Sequence, residues 1–240
     1  MRFRRKITPK ILLPIVNAAK RLNQLNLMHF KLSRVLIRTD DSKYKQIEVE
    51  MAAGKGGSGQ VRIIGGQWRS RKLPVTDVEG LRPTTDRVKE TVFNWLAPYV
   101  SDARCLDLFA GSGGLSFEAL SRYADSALLL EKDRNAANQL IKNLTTLKCA
   151  NGVVKNTDSL KFLSQAATQA FDLVFIDPPF RKNLLEQSCQ LLEDNNWLSD
   201  DAVIYIEMES ELAGATFPNN WQCLKEKNAG QVTFSLWQRN

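Results

Sequence analysis

Leu106-Asp107-Leu108-Phe109-Ala110-Gly111-Ser112-Gly113-Gly114-Leu115 decides how this chain folds. An apolar strand runs into a glycine-rich turn, and a helix follows. The glycines let the backbone turn sharply and approach a ligand closely, and the helix start offers free N–H groups. Downstream the same rhythm repeats, with apolar strands predicted at residues 105–110, 127–131, 152–155, 171–176 and 202–207. Between the second and third, Ala137, Leu140, Leu144 and Leu147 mark a helix by their spacing. Strands that read as continuous apolar runs belong to a parallel sheet covered on both faces. The chain ends differently. Residues 230–237 alternate with period two, which predicts an antiparallel edge hairpin with the segment before them. The fold class is α/β.

Upstream of the first strand, residues 61–75 alternate around Gly65-Gly66 and predict a β-hairpin. Arg62, Trp68, Arg69, Arg71 and Lys72 make it a candidate RNA grip, the plain alternative being a solvated surface. Arg82-Pro83-Thr84-Thr85 then leads into a helix marked by Val88, Val92, Trp95, Leu96 and Tyr99.

The net charge of +7 is unevenly placed. Residues 1–59 carry 13 Lys/Arg against 4 Asp/Glu, whereas residues 60–240 carry 20 against 22. Within the body, residues 60–104 hold 8 basic and 5 acidic side chains, so a phosphate-binding surface is expected there or in the N-terminal segment. Residues 1–59 read as a basic extension with a Gly-rich link at 54–59. An upstream stretch before a true start at Met51 is the favoured reading, beside a presequence or an RNA-binding arm. Residues 60–100 form the candidate RNA contact and residues 101–240 the catalytic domain. The only histidine is His29, so the body can build neither a Ser-His-Asp site nor a histidine metal site. Four scattered cysteines without a CxxC pair suit reduced thiols in a cytoplasmic protein. No apolar stretch approaches the roughly 20 residues of a membrane helix.

Four sites fall at strand carboxyl ends, where open α/β sheets bind ligands. The glycine turn is the first. It could open an NAD site, but the third glycine of that fingerprint is Ser116 here. Glu131, about 20 residues beyond the glycines, can accept both hydroxyls of a ribose; the competing role of helix-capping acid fits Asp133 better. Asp158 could accept from an adenine amine, although a lone loop aspartate is ordinary. The fourth site is Asp177-Pro178-Pro179-Phe180, at the end of an apolar strand. The prolines hold the chain extended, so the Asp177 carboxylate and the Pro178 carbonyl can point at one amine while Phe180 stacks on its ring.

The glycine turn with Asp-Pro-Pro-Phe resembles class I amino-methyltransferases, which modify exocyclic amines. Residues 62–66 (Arg-Ile-Ile-Gly-Gly), 68–73 (Trp-Arg-Ser-Arg-Lys-Leu), 82–84 (Arg-Pro-Thr), 86–90 (Asp-Arg-Val-Lys-Glu) and 227–232 (Lys-Asn-Ala-Gly-Gln-Val) narrow this. Together they resemble the bacterial small-subunit (16S) ribosomal RNA guanine-N2 methyltransferases, from about residue 60 to the end. The resemblance implies a Rossmann-like, mostly parallel seven-stranded sheet with an antiparallel C-terminal hairpin, plus the small N-terminal hairpin and helix. It implies S-adenosylmethionine as cofactor, with Asp107, Phe109, Gly111 and Gly113 on its methionine side, Glu131 at the ribose and Asp158 at the adenine. Asp177, Pro178 and Phe180 would be catalytic, and Arg62, Trp68, Arg69, Arg71, Arg82 and Arg87 would contact RNA. The expected partner is ribosomal RNA or the small subunit, for a monomer that needs neither metal nor membrane. Two rivals remain: an N6-adenine methyltransferase acting on DNA, and a non-enzymatic RNA-binding assembly factor.

Overall fold

The computed structural model describes residues 33–38, 44–49, 59–76, 86–180, 182–212 and 214–240. The chain divides into two units, Met1–Lys55 and Gly56–Asn240. In the first, β1 (Ser33–Arg38) and β2 (Tyr44–Val49) form an antiparallel hairpin in which Ser33 faces Val49 and Arg38 faces Tyr44. Composition alone gave no hint of these strands, yet Val35, Ile37, Ile47 and Val49 are β-branched residues suited to them. The rest of the basic extension, and the Gly-rich link up to Ser58, lie outside the described residues.

The second unit opens with β3 (Gln60–Arg62) and β4 (Lys72–Pro74), the expected hairpin. Then come α1 (Asp86–Trp95), β5 (Arg104–Asp107), α2 (Gly114–Ser121), β6 (Ser126–Glu131), α3 (Arg134–Leu147) and β7 (Gly152–Asn156). After them follow α4 (Ser159–Leu163), β8 (Phe171–Ile176), α5 (Leu185–Asp194), β9 (Leu198–Glu209), β10 (Trp221–Ala229) and β11 (Val232–Arg239). Seven strands make one sheet in the order β10-β11-β9-β8-β5-β6-β7. Strands β5 to β9 pair in parallel, and β11 runs antiparallel between β9 and β10. The terminal hairpin therefore places β10, not β11, at the edge.

Alternate strand residues feed two separate cores. Cys105, Leu129, Leu173, Phe175, Val203 and Tyr205 join the core beneath α1, α2 and α3. Leu106, Leu130, Val174, Ile176, Ile204 and Ile206 join the core with α4 and α5. Double coverage is why these strands read as unbroken apolar runs. Each buried aliphatic or aromatic side chain contributes about 1.5–3 kcal/mol. Arg104 pins the start of the central strands, donating from Nε and Nη2 to the two Asp172 carboxylate oxygens at 2.9 and 2.8 Å.

The Gly65-Gly66 pair has a packing reason. Gly66 has φ of +71°, and a Cβ there would sit 1.9 Å from the Ser121 carbonyl oxygen. The bare backbone lets the hairpin press on the end of α2. Ser121 Oγ donates to the Gly65 carbonyl at 2.6 Å and accepts from the Trp68 amide at 2.9 Å. The buried Glu118 carboxylate accepts the Ile64 amide at 2.8 Å and pairs with Arg122.

Candidate active site

The chain goes outward from β5 to β6 and β7, then returns to place β8 on the other side of β5. That reversal opens a crevice at the strand carboxyl ends. A cleft of about 820 Å³ lies there. Asp107, Phe109, Gly111, Glu131, Asp158, Asp177, Pro178 and Phe180 all line it. Gly113 does not. Its φ of +75° starts α2, and a Cβ on it would meet Phe117 at 2.4 Å, so its role is to shape the turn.

The strand-end acids differ in their partners. Glu131 accepts the Gly111 amide on Oε2 at 2.9 Å and the Asp133 amide on Oε1 at 2.7 Å. Asp133 caps α3, accepting from the amides of Asn135 and Ala136. Asp158 caps α4 through the Lys161 amide and is paired with Lys132 at 2.9 Å. That lysine, more than any other neighbour, lowers the Asp158 pKa. Asp107 is buried and accepts from Ser116 Oγ at 2.6 Å. Ser116, in the place a third glycine would take, therefore steadies a carboxylate. Burial pushes the Asp107 carboxyl up to about 7 despite that bond.

Asp177 is the most stressed of these groups. Burial first, then the carboxylates of Glu207 and Asp107, hold it well above the usual carboxylate range. Strand register explains the crowding. Asp107 is level with Phe175, Phe175 with Tyr205, and Ile176 with Ile206. Asp107, Asp177 and Glu207 thus share the parity of Cys105, Phe175 and Tyr205 and face the same side of the sheet. Pro178 is buried behind Asp177, and Phe180 stands 40% exposed at the cleft.

Glu207 was legible only as the end of a strand. It lines the cleft, and Tyr205 donates its hydroxyl to Oε2 at 2.9 Å. Burial raises its pKa as well. The i, i+2 spacing of Tyr205 and Glu207 is the one sequence signal that could have marked it.

The RNA candidates stand apart from the cleft lining. Arg69 and Arg71 are exposed on the hairpin and Arg87 on α1. Arg62 is half exposed and paired with Asp86 at 2.7 Å. Trp68 is half-buried against the core, so packing already occupies part of its ring surface. Arg82 lies outside the described residues. One unforeseen cation sits beneath them. Lys89 is buried, donates to the Arg62 carbonyl and lies 3.5 Å from Asp86; burial lowers its pKa.

The family of conserved hypothetical protein 95 matches residues 61–238. Ribosomal RNA small subunit methyltransferase D of Escherichia coli K12 is 61% identical over 183 residues, 76% of this chain and 92% of that protein. Its Haemophilus influenzae namesake is 57% identical over 183 residues, 75% and 94% of the two chains. The solved structure of Escherichia coli yhhF is 56% identical with a TM-score of 0.71, covering 76% of this chain and 99% of that one. Sheet order, glycine turn and Asp-Pro-Pro-Phe corner together define a methyltransferase of class I fold. Within that class, the chain belongs to the family that comprises conserved hypothetical protein 95 and the ribosomal RNA small subunit methyltransferases D.

Proposed function

We propose that this protein transfers a methyl group from S-adenosylmethionine to the exocyclic N2 amine of a guanine in 16S ribosomal RNA, acting in the cytoplasm. The observation that carries this is the Asp177-Pro178 corner, a half-buried carboxylate beside a buried proline at the end of β8, opening on the 820 Å³ cleft.

The cleft suits that cofactor. Its lining holds five carboxylates, Asp107, Glu131, Asp158, Asp177 and Glu207, against Lys132 and Lys182. Acceptors of this kind suit the amines and hydroxyls of that cofactor, whereas a dinucleotide pyrophosphate would meet few donors among them. Glu131 would hold the ribose, Asp158 the adenine, and the glycine turn with Asp107 the methionine portion. The bound cofactor supplies an electrophilic methyl group on sulfur.

The protein's own residues do the positioning. A guanine amine is a poor nucleophile because its lone pair is delocalised into the ring. Asp177 and the Pro178 carbonyl accept its two N–H bonds and turn the lone pair toward the methyl. Phe180 offers a stacking face to the ring. The base must leave its stack to arrive there, so a flipped or single-stranded guanine is the substrate. An amine methylated in this position would be left cationic. Asp177 is placed to receive its surplus proton, and positioning supplies most of the rate.

Transfer of labelled methyl from S-adenosylmethionine to small-subunit RNA or subunits tests the proposal, with duplex DNA as comparison. Label on the ribosomal RNA, lost in Asp177→Ala, supports it. Label only on DNA, or cofactor binding without transfer to either, contradicts it.

A further inference from the structure

We propose that Glu207 selects guanine by accepting the ring N1–H that lies beside the target amine, an inference that rests on the guanine-N2 reading above. The argument begins with strand register. Asp177 and Glu207 each follow the paired residues Ile176 and Ile206 on adjacent parallel strands, and both line the cleft on one face of the sheet. Neighbouring strands lie about 4.8 Å apart, so two such carboxylates can converge on one small edge. Tyr205 donates to Glu207 Oε2 at 2.9 Å, which fixes the side chain and leaves Oε1 for a ligand.

Base chemistry supplies the selectivity. In guanine the amine is flanked by N1–H, so three N–H donors lie along one edge. Asp177 and Pro178 take two of them, and Glu207 takes the third. Adenine and cytosine also carry an exocyclic amine. Beside it, however, each presents a bare ring nitrogen whose lone pair would face the Glu207 carboxylate. A flipped base is read along this edge by hydrogen bonds, and a site built for a donor rejects an analogue lacking it strongly.

The probe is small-subunit RNA carrying 2-aminopurine at the methylated position. This base keeps the 2-amine but has a lone pair at N1. Wild-type protein should methylate it at least ~100-fold less efficiently than guanine. Glu207→Gln, whose amide can donate to that lone pair, should lose about 100-fold on guanine and shift the 2-aminopurine to guanine ratio upward by more than ~100-fold. Glu207→Asp keeps the charge but withdraws it by one methylene. It should lower kcat/KM on guanine without raising the 2-aminopurine ratio or changing the Kd for S-adenosylmethionine. A Glu207→Gln ratio equal to wild type, or wild-type kcat/KM in Glu207→Asp, overturns the role of Glu207 alone. Failure of the wild-type protein to methylate guanine RNA overturns the underlying reading and this one with it.

Discussion

The Glu131 carboxylate ties the end of β6 to the glycine turn after β5, accepting the Gly111 amide at 2.9 Å while its other oxygen accepts the Asp133 amide at 2.7 Å. One side chain therefore holds the turn and the start of α3 in place, and still offers lone pairs to a ribose. Glu131→Ala should weaken S-adenosylmethionine binding by about 1.5–3 kcal/mol, the usual loss for a charged hydrogen-bond partner. It should also lower Tm by a few degrees, since two backbone donors lose their acceptor. Calorimetry with thermal unfolding checks both. Unchanged cofactor affinity would remove Glu131 from the site.

Asp177 should show opposite effects on rate and stability. Asp177→Ala should lower turnover by roughly 10²–10⁴-fold, as for a positioned acid–base group, with nearly normal cofactor binding. Asp177→Asn keeps an acceptor oxygen and should fall between wild type and alanine. The folded-state pKa of Asp177 is raised, by burial and then by Glu207 and Asp107. A raised carboxylate favours the fold below its unfolded pKa and loses that contribution as pH climbs through the folded value. Apo Asp177→Asn should therefore melt higher than wild type at about pH 8, the gap closing as pH falls toward about 4. A variant that melts lower at both ends would make Asp177 a structural cap instead.

The sheet was plain in the sequence because its strands are buried on both sides. The apolar run of residues 171–176 has the same bounds as β8. β9 begins earlier than its apolar run: Leu198 is level with Phe171, Ser199-Asp200-Asp201 then fall in a register irregularity, and pairing resumes with Val203 opposite Leu173. The acids at strand ends were found by position along the chain. Beyond its spacing from Tyr205, Glu207 carries no mark in the sequence because only strand order sets β9 beside β8; along the chain it lies 30 residues from Asp177. The partners of Glu131 and Asp158 were equally hidden, as they are backbone amides and a lysine in folded turns.

Gly66→Ala tests how the hairpin is held. A Cβ would collide with the Ser121 carbonyl at a left-handed φ, so the hairpin must lift from α2. Strain of this kind costs about 1–3 kcal/mol. RNA affinity should fall while S-adenosylmethionine affinity stays near wild type. Equal loss of both ligands would show that hairpin and cleft are coupled. Wild-type stability would refute the packing account.

Residues 1–50 should be dispensable for the chemistry. The matched family begins at residue 61, and the first unit ends at Lys55. A chain starting at Met51 should fold and methylate the same nucleotide. Normal RNA binding without product would contradict this. Weaker RNA binding, with a shallower salt dependence than the full chain, would mark the segment as an electrostatic arm.

The most direct test of the central claim is the identity of the product nucleoside. Small-subunit RNA methylated by the wild-type protein is digested to nucleosides and resolved by mass and retention against standards. The proposed function, with Asp177 and Pro178 as acceptors of the target amine, predicts N2-methylguanosine, at one mapped position, absent with Asp177→Ala. N6-methyladenosine as the product would contradict it.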